Sequence, residues 1–169
     1  MIKIKVFFGF LCALLLIFRI SPTYSLEFRE ELFHDALISS SNGEFNIALD
    51  KWNKYLLNFP NDAAALSNRG NIKLAIGDPK GAINDQTDAM KLNSIALDPY
   101  INRGIAKEAL GLWIEAKKDY KYVIAQDSQN FSALYNLANV EGSLSNWEVA
   151  RNLYSQAAEY NPGFAMARS

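Results

Sequence analysis

The stretch SNRGNIK at residues 67–73 decides the fold, because a close copy of it, INRGIAK, occupies residues 101–107. The two copies begin 34 positions apart. Alanine returns at the same interval, at Ala48, Ala82, Ala116 and Ala150. Recurrence at a fixed period of this length is typical of a repeat protein, in which each unit is one small supersecondary element.

Three further columns at the same interval each favour one kind of side chain. The first column holds Phe45, Pro79, Trp113 and Trp147, of which three are large aromatic residues. The other two hold the small residues Ala36, Gly70, Gly104 and Ala138, and the series Trp52, Gln86, Tyr120 and Tyr154. Small residues at a fixed place predict that two helix backbones approach closely there. Large rings directly after each turn predict that they pack in the core and seal one hairpin against the next.

The segment IGDPKGA, residues 76–82, predicts a turn between two helices in the second unit. Gly77 can end the first helix in a left-handed conformation, Asp78 can cap the second, and Pro79 suits the first helical turn. Gly43 and Gly111 occupy the matching places in the first and third units. Because the apolar spacing on either side is helical, each unit predicts two helices.

A 34-residue helix-turn-helix unit with these columns resembles the tetratricopeptide repeat family, and the repeat style is similar to that of cyanobacterial and plastid members. The resemblance implies an all-α, tetratricopeptide-type solenoid of four hairpins, forming a segment of a right-handed superhelix. The predicted domain spans residues 26–169, with units at 29–62, 63–96, 97–130 and 131–164 and the start of a fifth at 165–169. The chain departs from the family pattern at its tyrosine column, which holds Ser39, Lys73, Lys107 and Glu141.

Two other columns of the repeat change together, which predicts a contact between the two helices of each unit. They pair Asp35 with Lys51, Arg69 with Asp85, Arg103 with Asp119, and Leu137 with Leu153. We expect the charged pairs to be exposed and to contribute about 0.2 to 1 kcal/mol each. We expect Lys73 and Lys107 to extend along the packed helices with their amino groups in water.

Polar residues on the predicted first helices form the candidate site. Asn68, Asn102 and Asn136 make a 34-residue ladder, with His34 in the same column, and Asn71 and Asn139 lie about one turn further along. The resemblance implies that the first helices line a concave groove, where an asparagine at this column hydrogen-bonds the backbone of an extended peptide. An amide offers two donors and an acceptor, although a solvated polar stripe or a bond to a neighbouring unit would also explain the column. Carried over by column, the groove would further present Ser67, Leu74, Ile101, Ile105, Glu108, Ser132, Tyr135 and Ser143.

The residue types in the groove and in the whole sequence disfavour two functions, namely binding of a terminal carboxylate and catalysis. Chaperone-binding members of the family grip a terminal carboxylate with basic side chains, and the corresponding positions here are Ser67, Asn71, Asn102, Ser132 and Asn136, so that cationic clamp is absent. The sequence has one histidine and one cysteine, which leaves no metal cluster, no cofactor motif and no catalytic constellation. His34 next to Asp35 is not an acid–base pair, because adjacent helical side chains diverge. We expect no enzyme activity.

The segment at residues 1–25 predicts export. Lys3 and Lys5 precede an apolar run from residue 6 to 18, and small residues before residue 26 suit cleavage after Ser25, with an uncleaved membrane anchor as the alternative. Without this segment, 14 basic and 18 acidic residues remain, so a nucleic acid is not expected as a partner. A bacterial-type signal predicts a periplasm or a thylakoid lumen, and secretion is the alternative.

These observations predict an exported scaffold that binds a partner protein or an extended peptide in the groove, with an assembly or chaperone-like role. The alternative is a structural adaptor without a peptide ligand, docking through its convex or terminal faces in a homo-oligomer or a membrane complex. The C-terminal stretch GFAMARS, residues 163–169, offers no capping helix. Either the chain is truncated or naturally short, or the last apolar face is covered by a partner or a second copy.

Overall fold

The computed structural model describes residues 22–161, which form eight helices. In chain order they are α1 (Pro22–Ser41), α2 (Phe45–Asn58), α3 (Ala63–Ala75), α4 (Pro79–Leu92), α5 (Asp98–Glu108), α6 (Trp113–Gln126), α7 (Phe131–Ser143) and α8 (Trp147–Tyr160). Each helix packs against the next one, and the first helices of adjacent units also meet, α3 with α5 and α5 with α7. The predicted all-α solenoid of four helical hairpins is therefore confirmed.

The turns inside the four hairpins are built alike. Gly43, Gly77 and Gly111 have φ angles of 76°, 85° and 71°, and Ser145 takes the same place in the fourth hairpin at 63°. At Gly77 the helix end is closed by two backbone bonds, from Gly77 to the Leu74 carbonyl and from Asp78 to the Lys73 carbonyl, and the other three turns repeat this pair. This pattern is the Schellman motif, which needs a left-handed residue at one place. The prediction for the glycines is confirmed, whereas the serine was not foreseen.

Polar caps begin three of the helices. Asp62 accepts a hydrogen bond from the Ala65 amide at the start of α3, and Asp78 accepts one from the Gly81 amide at the start of α4. Asn130 does the same for the Ala133 amide at the start of α7. Each cap satisfies a backbone donor that has no partner within its helix. The predicted roles of Asp78 as cap and Pro79 as first-turn residue are confirmed.

The core lies between the two helices of each hairpin and between successive hairpins. One cluster centres on Trp52 and Tyr55, the other on Tyr120 and Val123. The small-residue column lets the helices of a hairpin approach closely, since a Cβ on Gly104 would lie 2.5 Å from the Tyr120 ring. That part of the sequence interpretation is confirmed.

The large residues after each turn are less buried than predicted. Trp113 packs against the second cluster, but Phe45 is 39% exposed and Trp147 is 67% exposed. The expectation that this column is core was wrong for these two rings. The first turn of a second helix lies at the edge of its layer, so a ring there covers its neighbour only in part.

The predicted contact between the two columns that change together is confirmed in all four units. Arg69 binds Asp85 at 2.7 Å, Arg103 binds Asp119 at 2.6 Å, and Lys51 lies 4.0 Å from Asp35. In the fourth unit Leu153 packs against the cluster that contains Leu137.

The expected exposure of these pairs was wrong in the second and third units. The Asp85 and Asp119 side chains are each only 5% exposed. Lys73 and Lys107 do not extend into water, because they bind the same two carboxylates at 2.8 and 2.6 Å. A buried carboxylate needs its charge and its lone pairs matched, and a lysine one turn after the arginine supplies the second cation.

The same groups tie neighbouring hairpins together. Arg69 also donates to Asn53 of the preceding unit. Lys117 of the third unit binds the buried Glu141 of the fourth at 2.6 Å. Burial raises the pKa of Glu141, but the bonds from Lys117 and Asn146 outweigh it and hold that pKa below its usual value. The charged columns therefore join units as well as helices.

Residues 26–28, which precede the first predicted unit, are helical and part of α1, which begins at Pro22. The predicted signal sequence lies almost wholly outside the described residues, as do residues 162–169. None of the helices in the described range 22–161 has the length and apolar character needed to span a membrane.

Candidate functional site

The asparagine ladder lies on one surface of the array. Asn68 on α3, Asn102 on α5 and Asn136 on α7 border a single cavity of about 440 Å³. Each asparagine is followed by a residue that meets the second helix of its hairpin, namely Arg69, Arg103 or Leu137. Successive residues on a helix are rotated by about 100°, so the asparagine itself points in a different direction. The cavity is lined by Ser67, Asn68, Asn71, Asp98, Ile101, Asn102, Ile105, Ser132 and Asn136.

The three ladder amides are half-buried, and their side chains make no hydrogen bond to any other described residue. Each one therefore keeps two donors and an acceptor directed at the cavity. Half-buried amides without protein partners are suited to a ligand that itself carries donors and acceptors, as a peptide backbone does. Their role in binding remains a prediction from this geometry.

The second pair of asparagines, at positions 71 and 139, is engaged within the fold. Asn71 accepts a bond of 2.9 Å from the buried Gln86 amide. Asn139 accepts one of 2.5 Å from the Tyr154 hydroxyl. Asn71 borders the cavity as well, so it can still donate to a ligand.

The sequence contained a signal for this second pair that we did not use. In the first and third units the column of Asn71 and Asn139 holds the apolar residues Leu37 and Ile105. The polar side chain of the second helix therefore bonds a residue in a different column of the first helix. The Trp52 indole donates to Ser40 and the Tyr120 hydroxyl donates to Glu108, each 12 residues earlier in the chain. Gln86 and Tyr154 instead donate to Asn71 and Asn139, each 15 residues earlier. The residue of the first helix that bonds this second-helix side chain therefore comes from one column in the first and third units and from another in the second and fourth.

The other predicted site residues lie apart from the ladder cavity or only border it. His34 lines a separate cavity of about 530 Å³ at the α1 end, with Leu26, Phe33 and Leu37. Ile101 is largely buried, whereas Ile105 is 37% exposed. Tyr135 is not among the residues that line the ladder cavity, and its ring centroid lies 5.4 Å from that of Tyr154.

A third cavity, of about 260 Å³, joins these two. It shares Ala64 with the cavity of His34, and it shares Ser67, Asn68 and Asp98 with the ladder cavity. The three cavities form one groove along α1, α3, α5 and α7. The structure therefore places His34 and the ladder on one continuous surface.

The groove floor at the α1 end contains a polar network that the sequence analysis missed. Arg29 donates to the Tyr55 hydroxyl at 2.9 Å and to Asp62 at 2.7 Å, and Tyr55 donates to Asp62 at 2.6 Å. Burial raises the pKa of Asp62, but the bonds from Tyr55, Arg29 and the Ala65 amide outweigh it and lower that pKa overall. The charge of Arg29 is therefore matched inside the protein.

One column of the groove was predicted only at Ser132, and its charged members were missed. Positions 30, 64, 98 and 132 recur at the repeat interval and hold Glu30, Ala64, Asp98 and Ser132, each of which lines one or more of the three cavities. Glu30 and Asp98 are exposed and pair with no cation in the described part of the chain. The repeat interval alone would have found this column.

Stacked hairpins whose leading helices share a groove, and whose buried ion pairs join the two helices of a hairpin, define a helical-repeat protein. The comparisons with known proteins place it more closely. The chain matches no protein-family model. It is 33% identical over 84 residues to TPR repeat-containing thioredoxin TDX of Arabidopsis thaliana, which covers 50% of this chain and 22% of that protein.

Two solved structures have the same fold. The first TPR of Spaghetti (RPAP3) bound to the HSP90 peptide SRMEEVD is 26% identical, with a TM-score of 0.66, and the match covers 69% of this chain and 93% of that one. MamA is 24% identical, with a TM-score of 0.70, and covers 78% of this chain and 77% of its own. The 34-residue repeat and the fold of this chain are those of tetratricopeptide repeat proteins. It spans about a quarter of the length of the first curated relatives that it matches.

Proposed function

We propose that this protein is an exported, non-catalytic scaffold that holds an extended segment of a partner protein along the groove of α1, α3, α5 and α7. The observation that carries the proposal is the convergence of Asn68, Asn102 and Asn136 on one cavity with their amides unpaired in the described chain. Amides at successive units can bond the backbone of an extended chain without dictating its sequence. The proposed role in the cell is assembly or chaperone-like holding of that partner.

The bound peptide in the RPAP3 structure supports this mode of use, since that protein is similar in fold and in sequence. The ligand proposed here differs from that acidic peptide. Among the described residues that line the ladder cavity there is no lysine or arginine, and the charged residue there is Asp98. A terminal carboxylate would meet no opposite charge in it.

The test is affinity capture of partners from an extract of the source cells, with mass spectrometry as the readout. The variant changes Asn68, Asn102 and Asn136 together to alanine, and the matched control changes the exposed Asn46 and Asn84 on the second helices. We expect the ladder variant to lose its specific partners and the control to keep them. Circular dichroism must show both variants folded. Equal capture by the ladder variant would remove the support for a groove ligand.

The alternative, docking through outer or terminal faces, is favoured by one observation on α8. Trp147 is 67% exposed and Val149 is 48% exposed, on the same helix as the 44% exposed Tyr160. Trp147 is the largest of these residues, and an exposed tryptophan is a candidate anchor for a contact with another protein. If this surface mediates self-association, Trp147→Ser should convert a dimer to a monomer in light scattering after size exclusion. A parent that is already monomeric at high concentration would argue against it.

The proposed site of action is outside the cytoplasm, in a periplasm or a thylakoid lumen. The basic start and the apolar run within residues 1–25 support this proposal. Cell fractionation with N-terminal sequencing of the mature protein tests it. A mature chain that begins near Leu26 is expected, whereas a full-length chain in the membrane fraction would indicate an anchor.

A further inference from the structure

The groove has an acidic column, and this column has a definite place in the fold. Glu30 stands in the cavity at the α1 end, and Asp98 stands where the other two cavities meet. Both belong to the column of every thirty-fourth residue that Ala64 and Ser132 complete. The two carboxylates are thus two units apart along the same side of the groove.

These two carboxylates have no side-chain partner among the described residues. Both are exposed, and neither forms an ion pair or a side-chain hydrogen bond among the described residues. Arg29 lines the same cavity as Glu30, but its guanidinium already binds Asp62 at 2.7 Å and Tyr55. The described residues that line the two cavities at Asp98 include no lysine or arginine. The other acids of the array that lie near the hairpin interiors, such as Asp85 and Asp119, are by contrast fully engaged by arginine and lysine.

The groove is also chemically uneven along its length. Its α1 end is lined by Leu26, Phe33 and Leu37, whereas its middle is lined by amides and serines. A large apolar side chain fits the first region, and a peptide backbone fits the second.

We infer that the groove selects a basic extended segment, with one lysine or arginine at Asp98, a second at Glu30, and a large apolar side chain at the α1 end. This inference rests on the proposed function and names the class of ligand. Packed helices lie about 8–10 Å apart, so two units span about 16–20 Å. An extended chain advances about 3.3–3.6 Å per residue, which sets the two basic residues about four to six positions apart.

The first experiment pans a random dodecapeptide library against the immobilised protein. We expect the selected peptides to be richer in lysine and arginine than in aspartate and glutamate. We also expect basic pairs to cluster at the spacing given above. Selected peptides that are neutral or acidic would overturn the inference.

The second experiment measures the affinity of one selected peptide by fluorescence anisotropy. Asp98→Asn and Glu30→Gln should each weaken binding about fivefold, the factor expected for a solvent-exposed ion pair, and the double variant about 25-fold. Asp50→Asn, which removes an exposed carboxylate from the second helix α2, is the matched control and should change nothing. Added salt should weaken binding to the parent much more than binding to the double variant. Equal affinity of the parent and the double variant would overturn the inference.

The ladder variant separates this inference from the proposed function. Peptides that need Asn68, Asn102 and Asn136 but not the two carboxylates would leave the groove intact as a binding site and remove only its charge preference. Peptides that bind independently of the ladder would contradict the proposed function itself. An empty selection would contradict both.

Discussion

Removing the Asp119 carboxylate should be among the most damaging single changes in the array. This carboxylate accepts three charge-assisted bonds, two from Arg103 at 3.0 and 2.6 Å and one from Lys107 at 2.6 Å, and its side chain is 5% exposed. Breaking a buried ion pair from one side costs about 3–5 kcal/mol, because the remaining charges lose their partner. The two cations keep 19% and 16% exposure and can recover some hydration. We therefore expect Asp119→Ala to lower the free energy of unfolding by about 3 kcal/mol.

The assay is urea denaturation followed by circular dichroism, and a double-mutant cycle isolates the pair. We expect a coupling of about 2 kcal/mol between Arg103 and Asp119, in line with hydrogen bonds to charged groups. The same columns supply an internal control. Lys51 and Asp35 are 4.0 Å apart and their side chains are 35% and 58% exposed, so their coupling should be below about 0.5 kcal/mol.

The fourth unit shows how the same position can be filled without charge, since it places Leu137 and Leu153 there. Changing Arg103 and Asp119 to leucine together with Lys107→Met should therefore keep the stability within about 1 kcal/mol of the parent. A cost of Asp119→Ala below about 0.5 kcal/mol, or equal couplings in the exposed and buried pairs, would refute the reasoning.

Three further predictions concern turns, packing and pH. Ser145→Gly should raise the free energy of unfolding by about 1 kcal/mol, because serine is strained at a φ of 63°, and Gly43→Ser should lower it similarly, since only the backbone opposes it there. Gly104→Ala should cost about 1–3 kcal/mol in the same assay, because the new methyl group would overlap the Tyr120 ring; an unchanged midpoint would show that the helices can separate. Glu108→Gln should stabilise the protein at pH 7. Burial raises the pKa of the Glu108 carboxyl, so the folded state resists its ionisation; this cost is present above the folded pKa and disappears below the unfolded value of about 4.5. Denaturation curves at neutral and at low pH check it, and a difference that persists at low pH would rule out ionisation as the cause.

The fold could be read from the sequence because its signals repeat. A column of alanines, a glycine at three of the four hairpin turns and paired charges at one fixed spacing appear several times each, so a chance match at one place carries little weight. The contact between Arg103 and Asp119 followed from such a comparison. Its burial did not, because covariation reports that two side chains meet and not how much water surrounds them. The amino group of Lys107 was predicted to lie in water for a related reason, because the two columns that change together gave no sign that a third residue binds the same carboxylate.

The candidate site was harder to foresee because its polar groups alternate between roles. Asn68 and Asn71 look equivalent in the sequence, yet only Asn71 bonds the buried Gln86. Whether an amide serves the fold or the groove depends on what lies opposite it on the second helix. Asp98 was overlooked because it lies in the first turn of a helix. An acidic residue is common there, since its charge interacts favourably with the helix dipole, so its presence did not by itself indicate a ligand.

The phrase Asn-Arg-Gly in the second and third units gives each leading helix three distinct surroundings in three successive residues. At Asn102, Arg103 and Gly104, the first side chain borders the groove, the second binds Asp119 and the third lets the Tyr120 ring approach. Ligand contact, the ion pair within the hairpin and close helix packing are thereby assigned to three separate positions. A protein engineer could exchange the first residue unit by unit to rewrite what the groove accepts, and could insert further copies of a unit to lengthen it, without redesigning the joints between hairpins.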